Sequence, residues 1–225
     1  NLLKTNSGTL TVGGAGVNTY SGGTVVSAGT LALNLNKFNL GFGTLTLGGG
    51  VTFQTLNFEG NTSGGALTNT FYLSGGTATN YTGKDIWITG PVTGPGGLAV
   101  TGAGRTPGVM LSGAKTFSGG VTLSRVLGAT PMVTINDLNS LGTGTLRTEL
   151  ISTDVSAANL RAAANLTSAP GVRNTIDLAP ACRLVISADG ANSLWLSGTI
   201  FNSGNLVKIG TATLTLSGTN TYTGK

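Results

Sequence analysis

The segment Thr213-Leu214-Thr215-Leu216-Ser217-Gly218-Thr219-Asn220-Thr221-Tyr222-Thr223-Gly224 carries the pattern from which the rest of the chain can be read. Side chains alternate along a strand with period two, so Leu214 and Leu216 share one face and Thr213 and Thr215 the other. Gly218 to Asn220 then turns the chain, and Tyr222 opens the next apolar contact. The pattern recurs: Leu10-Thr11-Val12-Gly13 leads to Asn18-Thr19-Tyr20-Ser21-Gly22-Gly23, and Leu111 to Gly120 is a looser copy around Phe117.

Tyr20, Phe117 and Tyr222 stand about 100 residues apart, which defines a long repeat. Other segments align at the same distance. Asn69-Thr70-Phe71 matches Asn174-Thr175-Ile176, Ile86-Trp87-Ile88 matches Leu194-Trp195-Leu196, and Asn1-Leu2-Leu3-Lys4 matches Asn205-Leu206-Val207-Lys208. The alignment predicts a single domain over residues 1–225. Its first super-repeat covers about 1–110, and the second covers about 111–225 and ends in a partial next repeat.

The run from Leu194 to Gly224, with LTLSG followed by NTYTG, resembles the passenger-associated transport repeat of bacterial autotransporter-type passengers. That resemblance implies a right-handed parallel β-helix, exported and displayed at the bacterial surface. The Leu111 copy departs from the motif, with Ala114-Lys115-Thr116-Phe117 where Thr219-Asn220-Thr221-Tyr222 stands at the C-terminal copy.

Composition agrees with an all-β packed chain. Charged residues make up 8% and hydrophobic residues 39%, which is the wrong balance for a solvated disordered polymer. The 38 glycines lack the three-residue period of collagen and punctuate short apolar alternations instead. The net charge of +5 is spread without a basic run, which argues against a nucleic-acid partner. The single Cys182 lies in a strand-like run and reads as apolar filler. No apolar stretch is long enough for a transmembrane helix. Asn1 to Lys4 is repeat material, so an export signal is expected outside these residues.

In chain order, strands are expected at Thr9–Val12, Thr24–Val26, Thr30–Leu35, Gly43–Leu47 and Val51–Phe58, with a register change near Gln54. Further strands are expected at Phe71–Leu73, Ile86–Ile88, Val121–Leu123, Met132–Ile135 and Gly144–Leu146. Repetition favours a solenoid over a sandwich or barrel, because stacked coils bury one continuous apolar column. At 20 residues per coil the rod would be on the order of 50 Å long. Val155 to Leu166 is alanine-rich and suits a helix by propensity, with Asp154 or Ser156 as a cap. The repeat alignment instead places strands and turns there.

The chain has no histidine, so imidazole-based triads and zinc sites are excluded. Its acids, Glu59, Asp85, Asp137, Glu149, Asp154, Asp177 and Asp189, form no close pair in sequence. A polysaccharide-cleaving β-helix would need carboxylates gathered on one face, for which Asp177, Asp189 and Arg183 are the remaining candidates. The glycine-rich stretch Gly102 to Gly108 lacks the lysine and following helix of a phosphate loop. No catalytic, metal or cofactor-binding residue is assigned, and no cofactor is expected.

Trp87 and Trp195 each replace the outward threonine of an LTL-like triplet. Each ring either contacts a glycan or a neighbouring molecule, or is covered by a loop. Tyr20, Phe117 and Tyr222 are expected as stacked fillers at one corner, Leu214 and Leu216 as core, and Asn220 as a turn residue whose amide ladders between coils.

These features predict a non-enzymatic, secreted β-solenoid at the cell surface or outside the cell. It would form a rod or associate with itself end to end into a filament or sheath. The support is the shared repeat phase at both ends and the lack of a capping helix, charged block or proline cover. An adhesin stalk touching glycan or host surface is the alternative, and a polysaccharide-degrading β-helix the weaker one.

Overall fold

A computed structural model describes residues 1–13, 18–34, 40–55, 66–82, 86–102, 108–125, 128–150 and 157–225, excepting the side chains of 34, 55 and 80–82. The register change expected around Leu56 and Phe58 lies outside these residues, as do Glu59, Asp85, Asp154, Ser156 and most of the Gly102 to Gly108 stretch.

Among the described residues there is no helix, and the paired strands run parallel in stacked sheets of a β-solenoid with about eight turns. Sheet A stacks Leu2–Lys4, Thr24–Val26, Leu45–Leu47, Phe71–Leu73 and Val92–Thr93 in that order. Sheet B has nine strands, from Thr9–Gly13 to Ile200–Asn202, and sheet C has seven, from Ala66–Leu67 to Asn205–Ile209. A two-stranded sheet D pairs Leu194–Leu196 with Leu214–Leu216.

The alternation seen in sequence becomes columns. On sheet C, Ile86, Val109, Val133, Leu160 and Ile186 lie in register and point inward. On sheet B the inward column runs Ala78, Leu98, Val121, Leu146, Ile176 and Ile200. Each coil covers the apolar faces of its two neighbours, and coil-to-coil backbone bonds such as Thr24 N to Thr44 O (2.9 Å) tie them together.

Coil length varies while register holds. The step from Thr77 to its partner Gly97 takes 20 residues, and the step from Leu146 to Ile176 takes 30. Longer coils shorten the rod relative to the sequence estimate, because eight steps along sheet B span roughly 40 Å.

The alanine-rich segment forms a strand, Ala158–Ala162, with Ala158, Leu160 and Ala162 inward. Tertiary pairing overrides helix propensity here, since Met132–Ile135 and Arg183–Ser187 offer backbone partners on both sides.

The long-range matches in sequence hold at corners rather than for whole faces. Asn69 Nδ2 donates to the carbonyls of Gly41 and Gly43 (3.1 and 2.9 Å), and Asn174 Nδ2 donates in the same way to Gly142 and Gly144 (3.1 and 2.7 Å). The glycines are required: Gly41 (φ +59°) lies against Tyr20 and Gly142 (φ +68°) against Phe117, so an added Cβ would strike ring and backbone. Yet Asn69 leads into sheet A and Asn174 into sheet B, while Ile86–Ile88 belongs to sheet C and Leu194–Leu196 to sheet D. The structural unit is the single coil, and the two super-repeats of about 100 residues have no counterpart in the sheet order.

Tyr20, Phe117 and Tyr222 therefore do not stack at one corner. Tyr20 precedes a sheet A strand and Phe117 a sheet B strand, and the segment around Tyr222 lies over Ile200–Asn202, with Thr221 N and Thr223 N bonding the carbonyls of Ile200 and Asn202. Phe117 is fully buried, whereas Tyr20 and Tyr222 are half-buried.

Leu194 is fully buried between Leu166 and Leu214, whereas Leu214 is half-buried and Leu216 is 37% exposed, because no further coil lies over them in this chain. Leu194→Ala should therefore cost about 3 kcal/mol and Leu214→Ala roughly half as much. Urea unfolding of both variants checks the order, and equal losses would contradict the burial gradient.

Candidate functional site

Outward side chains of parallel stacked strands fall into rows, one residue per coil, so the candidate sites are rows and corners. Trp87 stands in the sheet C row between Ala66 and Met110, half-buried between the inward Ile86 and Ile88. Its Nε1 is buried and makes no hydrogen bond among the described residues. Trp195 pairs with Thr215 on sheet D. Its indole lies over Gly171, where an added Cβ would come within 2.9 Å of Cγ, and its Nε1 donates to Ser217 Oγ at 2.6 Å. Trp195 thus ties its own coil to segments on both sides. The two tryptophans stand on different sheets and form no common surface.

The carboxylates are dispersed and engaged. Asp177 accepts from Arg147 Nε (3.0 Å) and from Asn202 Nδ2 (2.9 Å), which occupies both of its oxygens. Arg147 is exposed, so this pair contributes little stability. Glu149 Oε2 accepts from Ser124 Oγ at 2.8 Å, and Asp137 Oδ1 accepts from Asn139 N in a turn. Asp189 is exposed at a corner, and Arg183 starts a strand of sheet C while Asp177 sits on sheet B. No group of three potential metal ligands occurs among the described residues. Asn220 Oδ1 accepts from Ile200 N at 3.0 Å, a bond from the turn to the coil beside it.

Two features escaped the sequence reading. The first is a set of buried lysines. Lys4 occupies an inward position in register with Val26, and its Nζ reaches Asn6 O, Asn6 Oδ1 (2.9 Å) and Ala28 O (3.0 Å). Lys208 sits in register with the inward Ile186 and donates to Gly210 O at 2.7 Å. Lys115 is buried and donates to Ser112 O. In each case the stem covers apolar surface and the ammonium reaches corner carbonyls. The sequence signal was the alignment of Lys4 with Lys208.

The second is an exposed aromatic pair. Phe42 is 76% exposed between Gly41 and Gly43, the two residues whose carbonyls Asn69 holds. Tyr72, 41% exposed, points outward from sheet A between Thr46 and Thr93. Alternation in Phe71-Tyr72-Leu73 was sufficient to place Tyr72 outside. Phe42 could have been noticed as an aromatic between glycines in a turn.

Burial of Lys115 holds its ammonium below the ordinary lysine value of 10.5, with Asp137 partly opposing the shift. Below the folded value the charged group is fully disfavoured by folding. As pH rises from there toward 10.5, the unfolded chain binds more protons, and folding gains stability. The native chain should therefore gain melting temperature relative to Lys115→Met over that alkaline range. Parallel thermal melts check this, and a difference that stays flat with pH would contradict it.

The passenger-associated-transport-repeat family matches residues 2–33 and 206–225. These segments include the aligned lysines and the LTLSG and NTYTG stretch. The chain is also 30% identical over 237 aligned residues to the adhesin BmaC autotransporter of Brucella suis biovar 1 (strain 1330). That alignment takes in 99% of this chain and 7% of the relative. No solved structure gives a significant match. The chain is thus an autotransporter-passenger-like β-solenoid that carries passenger-associated transport repeats.

Proposed function

We propose that this chain is a rod segment of a surface-displayed, non-enzymatic adhesin passenger, which holds contact residues on rigid outward rows. The observation that carries this reading is the similarity along nearly the whole chain to an adhesin autotransporter, joined to a solenoid whose acids are dispersed. Asp177 is already bonded by Arg147 and Asn202, so it offers no free pair of carboxylates for sugar hydrolysis. Latex beads coated with the folded chain should bind epithelial monolayers or immobilised matrix more than beads coated with heat-unfolded chain. Equal binding by both would overturn the adhesive role.

End-to-end association into filaments is the second reading, favoured by the matched motif phase of Leu2–Lys4 and Leu206–Lys208. Electron microscopy over a dilution series separates the two. Separate short rods at every concentration fit the stalk segment, and long fibres that shorten on dilution fit the polymer.

A further inference from the structure

The geometry points to the outer face of sheet A as a binding surface for a neutral polysaccharide strand lying along the solenoid axis. This inference rests on the adhesin reading and names its ligand class and contact residues.

The face is one row of residues in strand register: Leu3, Val25, Thr46, Tyr72 and Thr93. Phe42 projects from the corner beside Thr46, four residues before it in the same coil. Leu3 (65% exposed), Phe42 and Tyr72 are the most exposed large apolar residues of the first coils. The described segments that build this side, residues 1–5, 19–28, 41–50, 68–76 and 90–95, contain one charged side chain, Lys4. Its ammonium is turned onto Asn6 and Ala28. The other sheets differ: sheet B shows Arg147 and Asp177 in its outward row, and sheet C shows Arg161.

A surface without charge offers nothing to an anionic chain and does not steer a charged partner. What it offers is two aromatic rings and a row of hydroxyls. The flat apolar face of a pyranose stacks its C–H groups on the electron-rich face of an aromatic ring, and its hydroxyls exchange hydrogen bonds with threonine. Outward groups recur at the coil rise of roughly 4.8 Å, close to the length of one sugar unit. Tyr72 thus has one threonine a coil below and one a coil above, as successive sugars along the axis would need.

A second copy of the chain fits less well. At their fractional exposures Leu3, Phe42 and Tyr72 present on the order of 400 Å² of apolar surface, against about 1,200 Å² or more for a stable protein interface. The asparagine clamp explains how Phe42 stays exposed. Asn69 fixes the carbonyls on both sides of it, so the corner cannot turn the ring inward without breaking both bonds.

The test uses the 225-residue chain and neutral β-1,4-linked glucose and mannose hexasaccharides in calorimetric titration, with a heparin hexasaccharide as the charged counter-probe. Saturable binding of a neutral hexasaccharide is expected, unchanged by added salt. Tyr72→Thr, which copies the residue one coil away on either side, and Phe42→Ala should each weaken it about tenfold. Their melting temperatures should stay at the native value, since both side chains point to solvent. Trp195→Phe should bind normally.

Binding of heparin alone, binding of no neutral sugar, or native affinity in both variants would overturn the assignment. A concentration-dependent dimer abolished by Phe42→Ala would overturn it in favour of a second copy. Coated beads that still adhere while all sugars fail would sink this inference and leave the adhesin reading standing.

Discussion

Every other feature of the molecule depends on strand register between successive coils. Leu45, Thr46 and Leu47 bond in parallel to Thr24, Val25 and Val26 on one side and to Phe71, Tyr72 and Leu73 on the other. A slip of one residue would turn Leu45 and Leu47 to solvent and bury Thr46 without a partner. Register is thus fixed strand by strand, while the length between strands is free. This freedom appears as steps of 20 to 30 residues that leave the inward columns intact. A solenoid of this kind can vary its corners and outward rows without disturbing the interior.

The lysines show how far the column tolerates departure from apolar chemistry. A charge at an inward position would normally cost several kcal/mol unless it is hydrogen-bonded. Lys4 meets the condition with Asn6 and Ala28, and Lys208 with Gly210. Both sit in the last inward register of their strands, next to a corner where backbone carbonyls turn away from the ladder. The lysine donates to groups that the sheet leaves unpaired, so its burial and the corner's need for donors offset each other. A count of charges could not reveal this, because it treats each lysine as surface.

Much of the fold was legible because its rules are local and repeat. Alternation in Leu194-Trp195-Leu196 and Ile86-Trp87-Ile88 gave the inward pairs, and the repeated LTLSG and NTYTG gave the stacking. The alignment also gave the strand at Ala158–Ala162 against its own helix propensity. What was not legible is how segments far apart in sequence meet. The expected single corner for Tyr20, Phe117 and Tyr222 failed because the same corner motif serves entries into different sheets, and sequence spacing does not say which. For the same reason Trp195 could not be seen to lie on Gly171, 24 residues earlier, or to bond Ser217, 22 residues later.

The candidate contact residues follow the same division. A tryptophan in an outward position looks available in sequence, but a large ring on a flat sheet also covers its neighbours, as Trp195 does, and becomes part of the stack. A phenylalanine in a turn looks like misplaced core. Here Gly41 and Gly43 give it no flanking side chains, and Asn69 fixes the backbone beneath it. Residue type alone therefore ranks the aromatics in the wrong order. Exposure depends on whether an adjacent coil supplies a surface for the ring to lie on: Gly171 does so for Trp195, while Phe42 at its corner remains 76% exposed.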